Sequence, residues 1–146
     1  MVGLSGAPPV QGLTLLHADT HLLVADKPAG LLAVPGRGAD KQDCLSARVQ
    51  VACPDALVVH RLDMATSGLV LMARGLAMQR ALSHAFERRE VGKRYEAVVA
   101  GEIAAAEAWQ VIDLPVGADW PNRPRQQVDA VQGRPAVTRW RALGPG

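Results

Sequence analysis

The chain has 146 residues, 49% of them hydrophobic and 21% charged, the balance of one ordinary globular domain. That excludes a disordered chain, a collagen and a low-complexity array, and with aromatics at 3% the core must be aliphatic. The net charge of +2 is too small to name a partner by itself, and two cysteines, Cys44 and Cys53, are too few for a disulfide scaffold and wrongly spaced for a zinc pair.

Residues 1–12 carry no charged side chain and include Gly3, Gly6, Pro8 and Pro9. They lack the basic start and apolar stretch of a signal peptide, so they read as a flexible tail. Leu13–His17 and Leu22–Ala25 are short runs rich in Leu and Val, expected as strands around an Asp19-Thr20 turn. Lys27-Pro28-Ala29-Gly30 breaks the second strand, because proline removes a ladder donor and glycine permits positive φ. Leu31–Val34 continues as a brief strand before a basic loop, Gly36-Arg37-Gly38, that could lie against a phosphate. Asp43 is the expected cap of a helix over 44–52 that Pro54 ends. Leu57–Val59 and Gly68–Ala73 read as strands framing a polar, irregular stretch.

The clearest element is a helix over 76–89. Met78, Leu82 and Phe86 recur at four-residue spacing and should face a core. Arg80, His84 and Arg88 recur at the same spacing, displaced by two residues, which puts them about 200° round the wheel. Gly92 ends this segment, and Arg94–Ala100 alternates as a strand would. From Trp109 the chain reads as short strands with Pro-rich turns, up to Gly144-Pro145-Gly146. The expected fold is α+β, a mixed but mostly antiparallel sheet flanked by helices, with residues 13–146 as the domain. No apolar run approaches the roughly 18 residues of a membrane span, and a cytoplasmic protein is expected.

Charge is segregated. Residues 74–94 sum to +4, residues 119–141 to +3, and the remainder to −5. A polyanion-binding face produces that pattern, and so does a solvated arginine-rich surface. His17, Asp19 and His21 fall on a strand–turn–strand, where a metal pair at helical spacing does not form. The three tryptophans read as packing residues rather than base-stacking platforms. No Gly-x-Ser-x-Gly elbow surrounds Ser67, so a serine hydrolase is unsupported.

The stretch His60-Arg61-Leu62-Asp63-Met64-Ala65-Thr66-Ser67-Gly68 carries most of the potential chemistry. A polar loop between two buried strands is held rigidly, and catalytic groups are usually placed on such loops. Asp63 beside Arg61 could be a nucleophile or base kept ionised by nearby guanidinium groups, or half of a structural ion pair. Thr66 and Ser67 can fix the loop through backbone hydrogen bonds.

This stretch, with Leu69, resembles the signature loop of the RluA-type pseudouridine synthases. Val24-Ala25-Asp26-Lys27-Pro28-Ala29-Gly30-Leu31 resembles that family's Lys-Pro-Gly segment, and Lys93-Arg94-Tyr95-Glu96-Ala97 its Lys-x-Tyr-x-Ala strand. Asp113-Leu114-Pro115-Val116 and Asp119-Trp120-Pro121-Asn122-Arg123-Pro124 are similar to the branch that modifies both ribosomal and transfer RNA. The resemblance implies isomerisation of uridine to pseudouridine in structured RNA, by a monomer without cofactor or metal. It places Asp63 at the catalytic aspartate and Tyr95 at the active-site tyrosine. His60, Arg61, Thr66, Arg37, Arg80 and Arg88 are the expected RNA contacts, with Arg61 acting when the uridine is flipped. The family's later Gly-Arg-x-His-Gln-Leu-Arg motif, whose arginine pairs with the aspartate, does not occur before Gly146. The resemblance therefore implies a catalytic domain incomplete at its C-terminus and little activity in residues 1–146. The alternative is an inactive RNA-binding remnant of the same family.

Overall fold

The computed structural model describes residues 9–103 and 108–144, which fall in two compact units, residues 1–93 and 94–146. The first unit is built on a four-stranded antiparallel sheet. Its strands are β1 (Thr14–Ala18), β2 (Leu22–Lys27), β3 (Ala56–Val58) and β4 (Gly68–Arg74), in the order β1-β2-β4-β3. Helix α1 (Leu45–Ala52) precedes β3, and α2 (Gly75–Glu87) follows β4. The fold is α+β, as the residue pattern predicts, and every strand pairing in it is antiparallel.

The β1–β2 turn explains the acidic and histidine cluster. One Asp19 carboxylate oxygen accepts from the amides of His21 (2.7 Å) and Leu22 (2.8 Å), and the other contacts His17 Nε2 at 2.9 Å. These bonds hold the Asp19 carboxyl well below the usual carboxylate range. The residues lock a turn, as aspartate does when it mimics a backbone acceptor.

Alternation along β2 and β4 buries Leu23 and Ala25 on one strand and Val70 and Met72 on the other. Leu15, Leu45, Val49, Cys53, Ala56 and Leu62 complete an aliphatic core, with both cysteines reduced and buried. Val10 joins this core at 9% exposure, so the flexible-tail expectation for 1–12 fails there: an apolar side chain with a core in reach is buried. Residues 1–8 lie outside the described residues.

Several local expectations are corrected. Asp43 is not the cap of α1. Cys44 occupies that position without a side-chain capping bond, while Asp43 makes a bidentate pair with Arg48, both bonds 2.7 Å. A guanidinium fork competes better for a carboxylate than two backbone amides do. Leu31–Val34 is not a strand; Leu32 makes a single bridge to Cys44. Helix α2 stops at Glu87, with Arg89 at φ 60, short of Gly92. Its apolar stripe, Met78, Leu82 and Phe86, is half-buried and not sealed. Arg74, counted among the bases of the 74–94 segment, is committed internally to Asp55 (2.9 and 3.0 Å) and to the Asp19 carbonyl.

In the second unit, β5 (Gln110–Asp113) pairs with β8 (Val137–Trp140), and β6 (Val116–Ala118) with β7 (Gln126–Val128). The expected strand over Arg94–Ala100 is absent: these residues have no regular structure and are exposed. Alternation supplies one apolar face, and a strand forms only where a neighbour accepts its hydrogen bonds. The tryptophans are not all packed either. Trp109 and Trp120 are 48% and 68% exposed, and the guanidinium of Arg123 lies 3.2 Å from the centroid of the Trp120 ring.

Candidate active site

The loop from His60 to Ser67 is pinned at four points, and each pin follows from its sequence. His60 is half-buried, with its ring stacked on Phe86 at 4.5 Å between centroids. Its Nε2 accepts the amide of Leu71 at 2.9 Å, where β3 has already ended and no longer supplies a carbonyl. Leu62 is buried in the core. The Met64 carbonyl accepts from Lys27 Nζ (3.1 Å) and from the Gly30 amide (2.8 Å). The Thr66 amide donates to the Asp63 carbonyl at 3.0 Å and closes a tight turn.

Between these pins, Asp63 is exposed to solvent. Arg61 is exposed too, and among the described residues no ion pair joins them. The structural Arg–Asp pair that the sequence allowed is therefore not formed. The cation tied to this turn is Lys27, which the reading of site residues missed. It lies at the third inward position of β2, after Leu23 and Ala25, and is fully buried. Its ammonium donates to the carbonyls of Pro28 (3.0 Å), Leu31 (2.6 Å) and Met64. Burial pushes the Lys27 pKa down, and the negative charge of Asp63 offsets part of that push. A charged residue at an apolar, inward position of a strand was the signal that could have found it. Gly30, at φ 87, supplies the left-handed turn that brings its amide back onto Met64.

The remaining expected site residues are distributed as follows. Thr66 is half-buried within the turn. Arg37 is exposed on a loop braced by Gln42, whose amide nitrogen donates to the carbonyls of Gly36 (3.3 Å) and Gly38 (2.7 Å). Arg80 and His84 are exposed on α2 and Arg88 is exposed at its C-cap, 3.7 Å from Glu90. Tyr95 belongs to the second unit and is 60% exposed.

His60 has a consequence for stability. Burial, and next the nearby charge of Lys93, pushes its pKa below the ordinary 6.5. Its bond to Leu71 needs a neutral Nε2. The unfolded chain takes up this proton before the folded one, so the contribution is complete above about pH 6.5 and is lost as pH falls through the lower folded value. Urea midpoints should fall over that acidic interval, and the fall should flatten in His60→Leu, which is weaker above the interval. An equal slope in the variant would assign the pH dependence to other groups.

Two solved structures share this fold. The human RNA pseudouridylate synthase domain containing 1 matches with a TM-score of 0.66 at 22% identity, over 92% of this chain and 53% of that one. The human RNA pseudouridylate synthase domain containing 4 matches with a TM-score of 0.61 at 20% identity, over 88% and 53%. The model of the RNA pseudouridylate synthase family matches residues 21–146, and the chain belongs to that family. The dual-specificity RNA pseudouridine synthase RluA of Escherichia coli K12 is 43% identical over 136 residues, 93% of this chain and 61% of the relative. That of Vibrio cholerae is 44% identical over 131 residues, 90% of this chain and 53% of the relative. The chain thus spans between about half and three-fifths of the length of these curated relatives.

Proposed function

We propose that this chain carries the catalytic aspartate of an RNA pseudouridine synthase, with ribosomal and transfer RNA as the substrate class. The observation that carries the reading is an exposed Asp63 on a loop pinned from four sides, within a family match that spans the loop. A rigid backbone with a free carboxylate is what nucleophilic or charge-stabilising work requires. In the reaction, the N1–C1′ bond of the uridine breaks while Asp63 attacks or stabilises C1′. The uracil turns, C5 bonds to C1′ as any bond from Asp63 to C1′ breaks, and the proton lost from C5 is balanced by one taken up at N1. Nothing is added or removed overall, so an isomerisation of this kind calls for no cofactor and no metal.

The tyrosine ring of Tyr95 is suited to lie against the flipped pyrimidine, with its hydroxyl near the C5 proton. Flipping costs a few kcal/mol of unstacking, which phosphate contacts must offset. Arg61, Arg37, Arg80 and Arg88 are exposed and suited to that task, and Thr66 fixes the loop. His60 acts from within, because its ring and Nε2 are taken up by Phe86 and Leu71. Among the described residues no helix is long and apolar enough to cross a membrane, and a monomer working in the cytoplasm is the reading that goes with these proposed substrates.

The test is tritium release from C5-labelled ribosomal and transfer RNA by the intact protein. Release supports the proposal; tight binding without release would favour the inactive remnant. The helical stripe has its own check. Arg80→Ala with Arg88→Ala should weaken RNA binding and reduce the log–log salt slope by about 1.4–1.8, the loss of two phosphate contacts. An unchanged slope would make the stripe a solvated helix face.

A further inference from the structure

The second unit holds an aromatic and arginine cluster that the Asp63 chemistry does not use. In the β5–β8 ladder Val111 lies opposite Arg139. Side chains alternate between the faces of a strand, so Trp109 and Arg141, each two residues away, share the face of that pair. The contacts agree: the guanidinium carbons of Arg139 and Arg141 are 5.5 and 5.2 Å from the centroid of the Trp109 ring. Trp109, Val111, Arg139 and Arg141 are all exposed. Among the described residues neither arginine has a carboxylate partner. The surrounding 119–141 segment is net +3, which suits a polyanion.

We propose that Trp109, Arg139 and Arg141 form a stacking site for one unpaired base of single-stranded RNA, with the ring taking the base and the two guanidinium groups taking the flanking phosphates. This rests on the RNA reading above and deepens it. At 5.5 and 5.2 Å from the ring centroid the two guanidinium groups border the indole and keep N–H donors for other acceptors. An indole face accepts any base, but only one outside a duplex stack, so the site selects single strands and not a sequence. The charge is wrong for a basic partner, and an acidic protein would use the arginines without needing the exposed ring.

The experiment is binding of the intact protein to a short oligoadenylate RNA, which contains no uridine and so keeps catalysis out of the measurement. Trp109→Ala should weaken binding about 5- to 150-fold, the range that stacking one base spans. Trp109→Phe should recover most of that loss, and a duplex of the same length should bind the Trp109→Ala protein and the parent equally. Arg139→Gln with Arg141→Gln should lower the salt slope by about 1.4, and these surface changes give a readout even if Trp109→Ala fails to fold. A protein that releases tritium from substrate RNA, yet binds oligoadenylate with unchanged affinity and slope in these variants, overturns this inference alone. One that neither turns over nor binds RNA overturns the parent reading with it.

Discussion

Asp63→Asn should lower tritium release by about 10³-fold or more while RNA affinity changes little. The amide keeps the size and hydrogen-bonding reach of the carboxylate but loses its charge. It can neither attack C1′ nor balance positive charge developing there, so the loss should reach at least the middle of the roughly 10²–10⁴-fold that a general base contributes. The fold should tolerate the change. The Asp63 side chain is exposed and, among the described residues, in no ion pair, and its backbone carbonyl closes the turn onto Thr66. Single-turnover release and filter binding on the same preparations separate the two effects. Turnover within about tenfold of the parent would remove Asp63 from the chemistry, since its charge would then supply under about 1.4 kcal/mol.

Lys27→Met should damage turnover more than stability. Of the three carbonyls that Lys27 holds, that of Met64 keeps the Gly30 amide, and Pro28 is exposed, where water can replace the ammonium. The half-buried Leu31, with the shortest bond at 2.6 Å, loses its donor outright. One dry acceptor costs about 1–3 kcal/mol, survivable for a domain stable by roughly 5–15 kcal/mol. The Asp63 turn, however, loses one of the two bonds that fix Met64 and the positive charge near its carboxylate. Misplacing a reacting group by about 1 Å costs on the order of 10²-fold. Lys27 is thus a positioning residue: kcat should fall by about that factor with KM for RNA nearly unchanged. A kcat within about threefold of the parent would mean that Gly30 and the Thr66 turn hold the loop by themselves. An equal rise in KM would make Lys27 part of the RNA-binding surface.

Much of this was legible in the chain. Alternating apolar residues in β2 and β4 and the four-residue repeat of α2 determine where elements form, because burial period is a local property of the sequence. The polar stretch 60–68 between two apolar strands located the loop, and Asp63 was its one carboxylate. Only the tertiary structure decided what that carboxylate stands beside. Arg61, two residues away, makes no ion pair with it, while Lys27, thirty-six positions earlier, reaches its turn because β2 and β4 pair with Lys27 opposite Gly68. The resemblance makes His60 an expected RNA contact, and only the folded chain stacks its ring on Phe86 and sets its Nε2 to accept the Leu71 amide. Arg94–Ala100 has the alternation of a strand and, among the described residues, no strand pairs with it. Side-chain period is written in the sequence itself. Hydrogen-bond partners, ion pairs and exposure are relations between distant residues, and they exist only once the chain has folded.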